Sequence, residues 1–167
     1  MDEIAPPAGA RRRFPVLYQV NARTHVRSLG AGATLDALDD DHLDRLLPVG
    51  IDWLYLLGVW QTGPAGAAVS RHDPAIRAEC AAALPDVVDA DICGSCFAIT
   101  EYRVHDRLGG DGALARLRAR LAARGIALMV DFVPNHTALD HPWAALHPER
   151  YVQGGEEDLL EHAPGNW

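Results

Sequence analysis

Two stretches of this chain are almost continuously apolar, IDWLYLLGVW at residues 51–60 and IALMVDFV at 126–133, and a shorter β-prone run, FPVLYQV, lies at 14–20. A strand wetted on one face alternates apolar with polar residues, so a run without alternation needs cover on both faces. The segments between the runs supply that cover. In LDALDDDHLDRLLPVG (35–50), Leu35, Leu38, Leu43, Leu46 and Leu47 recur at helical spacing, Asp39–Asp41 suit a helix start, and the closing PVG stops it. DPAIRAECAAAL (73–84) carries Pro74 at a first-turn position. DGALARLRARLAARG (111–125) is the clearest helix, with Leu114, Leu117 and Leu121 as its stripe, Asp111 as a cap and Gly125 as the stop. HPWAALHPERY (141–151) predicts a short helix, and residues 85–110 predict a long irregular stretch. Buried strands alternating with helices imply a parallel sheet in an α/β fold.

The balance of charges narrows the partners. The 167 residues are 49% hydrophobic and 23% charged, enough for a core, with a formal net charge of −8. All 15 basic residues are arginines. An acidic chain of this kind disfavours nucleic acid and anionic membranes as partners. No apolar run approaches the roughly 20 residues of a membrane span, and MDEIAPPAGARRRFPVLYQV shows no secretory signal, which points to the cytoplasm. Residues 1–13 read as a flexible lead-in and 14–167 as one unit of α/β structure. The three cysteines, Cys80, Cys93 and Cys96, do not suggest a disulfide framework. The C-x-x-C of Cys93 and Cys96 lacks the second pair that a zinc site would need.

Chemistry concentrates at the end of the last apolar run. MVDFVPNH (129–136) places Asp131, Pro134, Asn135 and His136 where a parallel strand emerges, which is where ligands sit in such folds. Pro134 cannot donate a ladder hydrogen bond, so pairing should stop there. Asn135 tolerates turn conformations and offers an amide to backbone or a cation, and His136 can donate or accept a hydrogen bond at the rim. Taken singly, each of these residues is equally at home in a plain βα turn.

As a set, DFVPNH resembles the first signature motif of the α-amylase superfamily, glycoside hydrolase family thirteen. The resemblance continues upstream. LGGDGALARLRARLAARGIALMVDFVPNHTA (108–138) resembles that family's second helix and third strand, and GSCFAITEYRV (94–104) its segment after the second strand, where Gly-Tyr-Asp-Ile-x-Asp-Tyr is common. YQVNART and GIDWLYLLGVW match its first two barrel strands in kind, and HPWAALHPERYVQG resembles the segment beyond the motif in many members.

The resemblance implies a (β/α)8 TIM barrel with its active site at the carboxyl face. Three strands with their helices, and a long loop after the second, make an incomplete barrel, since a whole one takes about 250 residues. It further implies Asp131 as a buried structural acid, Asn135 as a ligand of structural calcium in many members, and His136 as a hydrogen-bonding partner of the reacting sugar ring. Phe97 stands where the family has a tyrosine stacked on that ring, so the aromatic platform is kept without its hydroxyl. Ala98 replaces the commonest acid, and Glu101 replaces the aspartate before Tyr102, the third substrate-side residue. Trp60 closes the second strand, where packing is its expected role. The implied substrate is an α-glucan or α-glucoside, cleaved with retention by a nucleophile, an acid and a third carboxylate on strands four, five and seven. The chain is therefore expected to hold the sugar but not to cut it, and an open half-barrel should be poorly soluble. Two rivals stand beside this: a small complete α/β binding module, and a catalytically inactive member of the same family.

Overall fold

The computed structural model describes residues 14–46 and 50–158, with the side chain of Leu46 excepted. The flexible lead-in expected at 1–13, and Leu47 in the leucine series, lie outside the described residues. The chain divides into two compact units, one of residues 1–60 and 103–132, the other of 61–102 and 133–167.

The first unit is built on a parallel sheet of β1 (Leu17–Asn21), β2 (Trp53–Leu57) and β5 (Ala127–Val130), in the order β1-β2-β5. Tyr18 pairs with Leu54, and Leu54 with Leu128, so the three apolar runs align side by side as the sequence implies. The central strand comes nearest to the cover expected on both faces, with one face buried and Trp53, Tyr55 and Leu57 of the other half-buried. Leu54 and Leu56 of β2 are fully buried, whereas most of β1 is exposed and β5 is half-buried. The expectation of cover on both faces fails for β1 and β5, which are also the edges of the sheet among the described residues.

Helices α1 (Ala22–Ser28), α2 (Asp40–Leu46) and α5 (Gly110–Ala123), with a 3₁₀ turn at Leu35–Ala37, belong to the same unit. Val26, Leu35, Leu38, Leu43, Leu117 and Leu121 join Leu54 and Leu56 in one apolar core. The stripe on α5 is Ala113, Leu117 and Leu121, one position per turn, with Leu114 packed at its edge. Asp111 does not cap α5: the N-cap is Gly109, and the Asp111 carboxylate accepts a hydrogen bond from Val104 N at 2.8 Å. The Asp39 carboxylate does serve the start of α2, accepting from His42 N at 2.8 Å. The outer side of α5 is laced by arginines: Arg116 grips Asp36, and Arg124 reaches Asp40 and Asp44.

The second unit contains α3 (Pro64–His72), α4 (Pro74–Ala83) and α6 (Pro142–Leu146). Its helices start on prolines, which suits a first turn with no donor to waste. Two further strands, β3 (Trp60–Thr62) and β4 (Ile99–Val104), pair as a two-stranded sheet. The sequence pattern places β3 within the second apolar run and β4 in an irregular loop. The run is cut at Gly58, whose φ of +78° lies in the left-handed region and ends β2. The loop expected after the second strand is real from residues 85 to 98, and Gly94 is part of it. A Cβ on Gly94 would collide with the backbone of Gly66 and Ala67, so only glycine allows the loop to lie against α3. Among the described residues no helix is long and apolar enough to cross a membrane.

Candidate functional site

The sheet register explains where Asp131 sits. Leu56 pairs with Val130, so Asp131 falls one step beyond the ladder, level with Leu57 and next to the Gly58 turn. That step turns a strand residue into an acceptor for a strand end. Asp131 is buried at 5% exposure, and its carboxylate accepts from the Tyr55 hydroxyl and from Gly58 N, each at 2.5 Å. Its backbone carbonyl accepts from the Trp60 indole at 2.8 Å. The turn that Gly58 makes also aims its own carbonyl at Arg23, which donates to it at 3.2 Å from the start of α1. Asn21, closing β1, caps α1 by accepting from Arg23 N and Thr24 N at 3.1 and 3.3 Å. The carboxyl ends of the sheet are thus fastened by side chains where ladder bonds run out.

Tyr55 and Trp60 are the residues that sequence reasoning underrates. Tyr55 draws no notice inside an apolar run, although a tyrosine in a buried strand needs a partner for its hydroxyl, and that need is a usable signal. Trp60 packs on the core as expected, and in addition its indole donor fixes the backbone of Asp131.

The other candidates, Phe97, Tyr102, Asn135 and His136, belong to the second unit. Two hydrogen bonds lay the motif segment along β4. The Tyr102 hydroxyl accepts from Val133 N at 2.7 Å and donates to Val133 O at 3.1 Å. Farther along, Ala138 N donates to Ile99 O at 3.0 Å. The pairs run in opposite directions, so His136 lies on a short span pinned at both ends to one strand. Because the segments are antiparallel, His136 lies alongside β4 between Ile99 and Tyr102, and Phe97 lies on the other side of the Ile99–Ala138 bond. Pro134, with no N–H, adds no donor of its own to the span.

The side chains on this span face water. Asn135 and His136 are exposed, with the Asn135 amide 3.4 Å from His136 Nδ1. Phe97 is 37% and Tyr102 48% exposed, large aromatic surfaces left available while the Tyr102 hydroxyl is committed to Val133. Beyond the pinned span, Thr137 and Tyr151 share a hydroxyl–hydroxyl bond at 2.8 Å, and Arg150 lies over Trp143 at 4.2 Å. This arrangement can offer an imidazole and flat apolar rings to a polyhydroxylated ligand. Of the five candidate residues only Asp131 is a carboxylate, so they do not make a glycosidase pair.

The calcium expectation meets a sparse donor set. A calcium ion takes about 6–8 oxygens. Asn135 offers one, and among the described residues no group of three or more His, Cys, Asp or Glu could hold a metal. The described residues do not by themselves make a calcium cage.

Comparison with known proteins bears on the same segments. The family model described as alpha amylase, catalytic domain, matches residues 41–156. Among solved structures, an alpha-amylase from Lactobacillus plantarum is similar over 92% of this chain and 29% of its own, at 24% identity and a TM-score of 0.60. An inactive double mutant of MutB in complex with isomaltulose is similar over 77% of this chain and 18% of its own, at 25% identity and a TM-score of 0.51. Trehalose-6-phosphate hydrolase (TreA) of Bacillus licheniformis covers the same shares at 20% identity and a TM-score of 0.50. No curated protein matches. The chain spans 18% to 29% of the length of these solved chains. The family match covers well over half of the chain, and on that ground the chain belongs to the alpha-amylase catalytic-domain family of glycoside hydrolases.

Proposed function

We propose that this chain is the N-terminal part of a (β/α)8 enzyme that acts on α-glucosidic bonds with retention, and that it supplies one wall of the subsite for the reacting sugar. The observation that carries the reading is the pinned span: Tyr102 and Ile99 of β4 hold the segment that presents the exposed His136 alongside that strand. Support also comes from the family match and from the similarity to MutB, which has been solved with isomaltulose.

In this reading His136 donates a hydrogen bond to a sugar hydroxyl, and Phe97 and the ring of Tyr102 present apolar surface to the sugar's flat side. Asp131 holds the strand end in place without touching the substrate. Such contacts raise the rate to the extent that they strengthen as the ring gains oxocarbenium character. The bond-breaking groups are expected on later strands. There a carboxylate attacks C1 as the C1–O bond breaks, a carboxylic acid gives its proton to the leaving oxygen, and water then releases the glycosyl ester. Calcium enters the proposal only through Asn135, as one oxygen of a site whose other ligands lie elsewhere.

The test is the reading frame past Trp167 together with turnover by the 167-residue chain. The family pattern requires an Arg-x-Asp on a fourth strand, then Glu and Asp at later strand ends, and no maltoside turnover by this chain alone. A stop codon directly after Trp167, or measurable turnover by the purified chain, would refute the proposal.

A further inference from the structure

Away from the sugar-binding segment, two histidines of the first unit face each other. His25 lies on α1 and His42 on α2, both half-buried, with their Nε2 atoms 2.9 Å apart. The ring centroids are 4.9 Å apart and the planes meet at 63°, so the rings meet edge to face, with their outer nitrogens together. Both helices are fixed locally: Ser28 Oγ donates to His25 O at 2.7 Å, and His42 N donates to Asp39 Oδ1 at 2.8 Å. Two imidazole nitrogens converging on one point from separate elements form a ligand pair. A tetrahedral zinc ion with bonds of about 2.0–2.1 Å sets its nitrogens roughly 3.3 Å apart. The rings need to part by only about 0.4 Å for a cation to enter.

We propose that His25 and His42 form a two-imidazole site for a borderline divalent transition cation such as Zn²⁺, with water filling the remaining positions. Among the described residues no third His, Cys, Asp or Glu completes a protein cage, so the cation keeps an open, hydrated side. Nitrogen donors select zinc, nickel or copper over calcium and magnesium, which prefer oxygen. In the free pair one ring donates its Nε2 proton to the other. Guanidinium can only donate, so the Arg45 contact at His42 Nδ1 makes His42 the ring that donates through Nε2; on binding, that proton moves to His42 Nδ1, the exposed Arg45 turns away to solvent, and both Nε2 lone pairs face the metal. The charged groups beside His42 pull in both directions. Arg45 Nη2 lies 3.4 Å from its Nδ1, and the Asp39 carboxylate opposes it. Bound metal would tie α1 to α2 and stabilise the unit by mass action.

The test is calorimetric titration of the chain with Zn²⁺ at about pH 7.5, where neutral imidazole can ligate, alongside ring ¹H–¹⁵N spectra of its histidines. The expected result is one Zn²⁺ per chain, with the His25 and His42 Nε2 signals shifting together. His25→Ala and His42→Ala should each weaken binding at least tenfold, while His147→Ala, at a histidine paired with Glu149, leaves it unchanged. Excess Ca²⁺ should not compete. The inference is overturned if the two ring signals stay in place at millimolar Zn²⁺, or if both alanine variants bind as the parent does. The ring spectra need no substitution, so a variant that fails to fold does not rescue the idea.

Discussion

Replacing Asp131 should separate its role as a scaffold from any role in chemistry. Its carboxylate accepts from the Tyr55 hydroxyl and from the buried Gly58 N, each at 2.5 Å. A hydrogen bond to a charged group contributes about 1.5–3 kcal/mol net, so Asp131→Ala should cost about 3–6 kcal/mol. That is a large share of the roughly 5–15 kcal/mol that holds a domain together. Asp131→Asn is milder. Its amide oxygen can still accept from Gly58 N, and the Tyr55 hydroxyl can rotate to accept from the amide, so only charge assistance is lost, about 1–2 kcal/mol. Tyr55→Phe removes one bond and should fall between them, at about 1.5–3 kcal/mol. The Trp60 bond to the Asp131 carbonyl is untouched by all three changes. Urea unfolding reads the series: with a slope of about 2 kcal/mol per molar, Asp131→Ala should lower the midpoint by roughly 1.5–3 M. The reasoning is wrong if Asp131→Ala lies within about 0.5 kcal/mol of the parent, or if Asn proves as damaging as Ala.

Further outcomes rest on single contacts. Tyr102→Phe removes both bonds to Val133 and should cost about 1–2 kcal/mol, with faster amide exchange at Val133; unchanged exchange would contradict the pinned span. Gly94→Ala drives a methyl group into the backbone of Gly66 and Ala67, so it should lower the melting temperature more than Gly112→Ala, which meets only a flexible arginine end. His42 and His105 are both held below the usual histidine range, chiefly by burial, so the folded state binds fewer protons than the unfolded one. Stability should therefore be full above about pH 6.5 and fall as the pH drops below it, with a shallower fall in His42→Gln; an unchanged slope in that variant would reject the assignment. Asp36 is held below its ordinary value by its bond to Arg116, so its contribution should persist above about pH 4 and vanish under further acid. Arg116→Ala should flatten the stability curve in that acid range.

The sequence disclosed the parallel sheet because β2 and β5 break the alternation rule, and it disclosed α5 because leucines and alanine recur one per turn. It hid β4 because ITEYRV comes after a run of glycine, serine and cysteine that reads as loop, and its partner β3 is only three residues long. Asp111 shows a different limit. Position alone favoured a cap, but the nearby Val104 N–H, which a sequence cannot place, takes its carboxylate. For the candidate site, the DFVPNH spacing singled out Asp131 and His136 as candidates. The partners that fix the motif, Tyr55, Gly58 and Tyr102, stand 31 to 76 residues from the atoms they hold and emerge only when β2 and β4 are laid beside it.

The central claim is that the pinned span presents His136 to a sugar, and it is tested most directly by His136→Ala in the polypeptide that carries this chain and the later barrel strands. The account predicts a fall in kcat/KM on an α-glucoside on the order of 10²-fold, with the urea midpoint unchanged because the imidazole is exposed. Parent-like kcat/KM in a fully folded variant would contradict it.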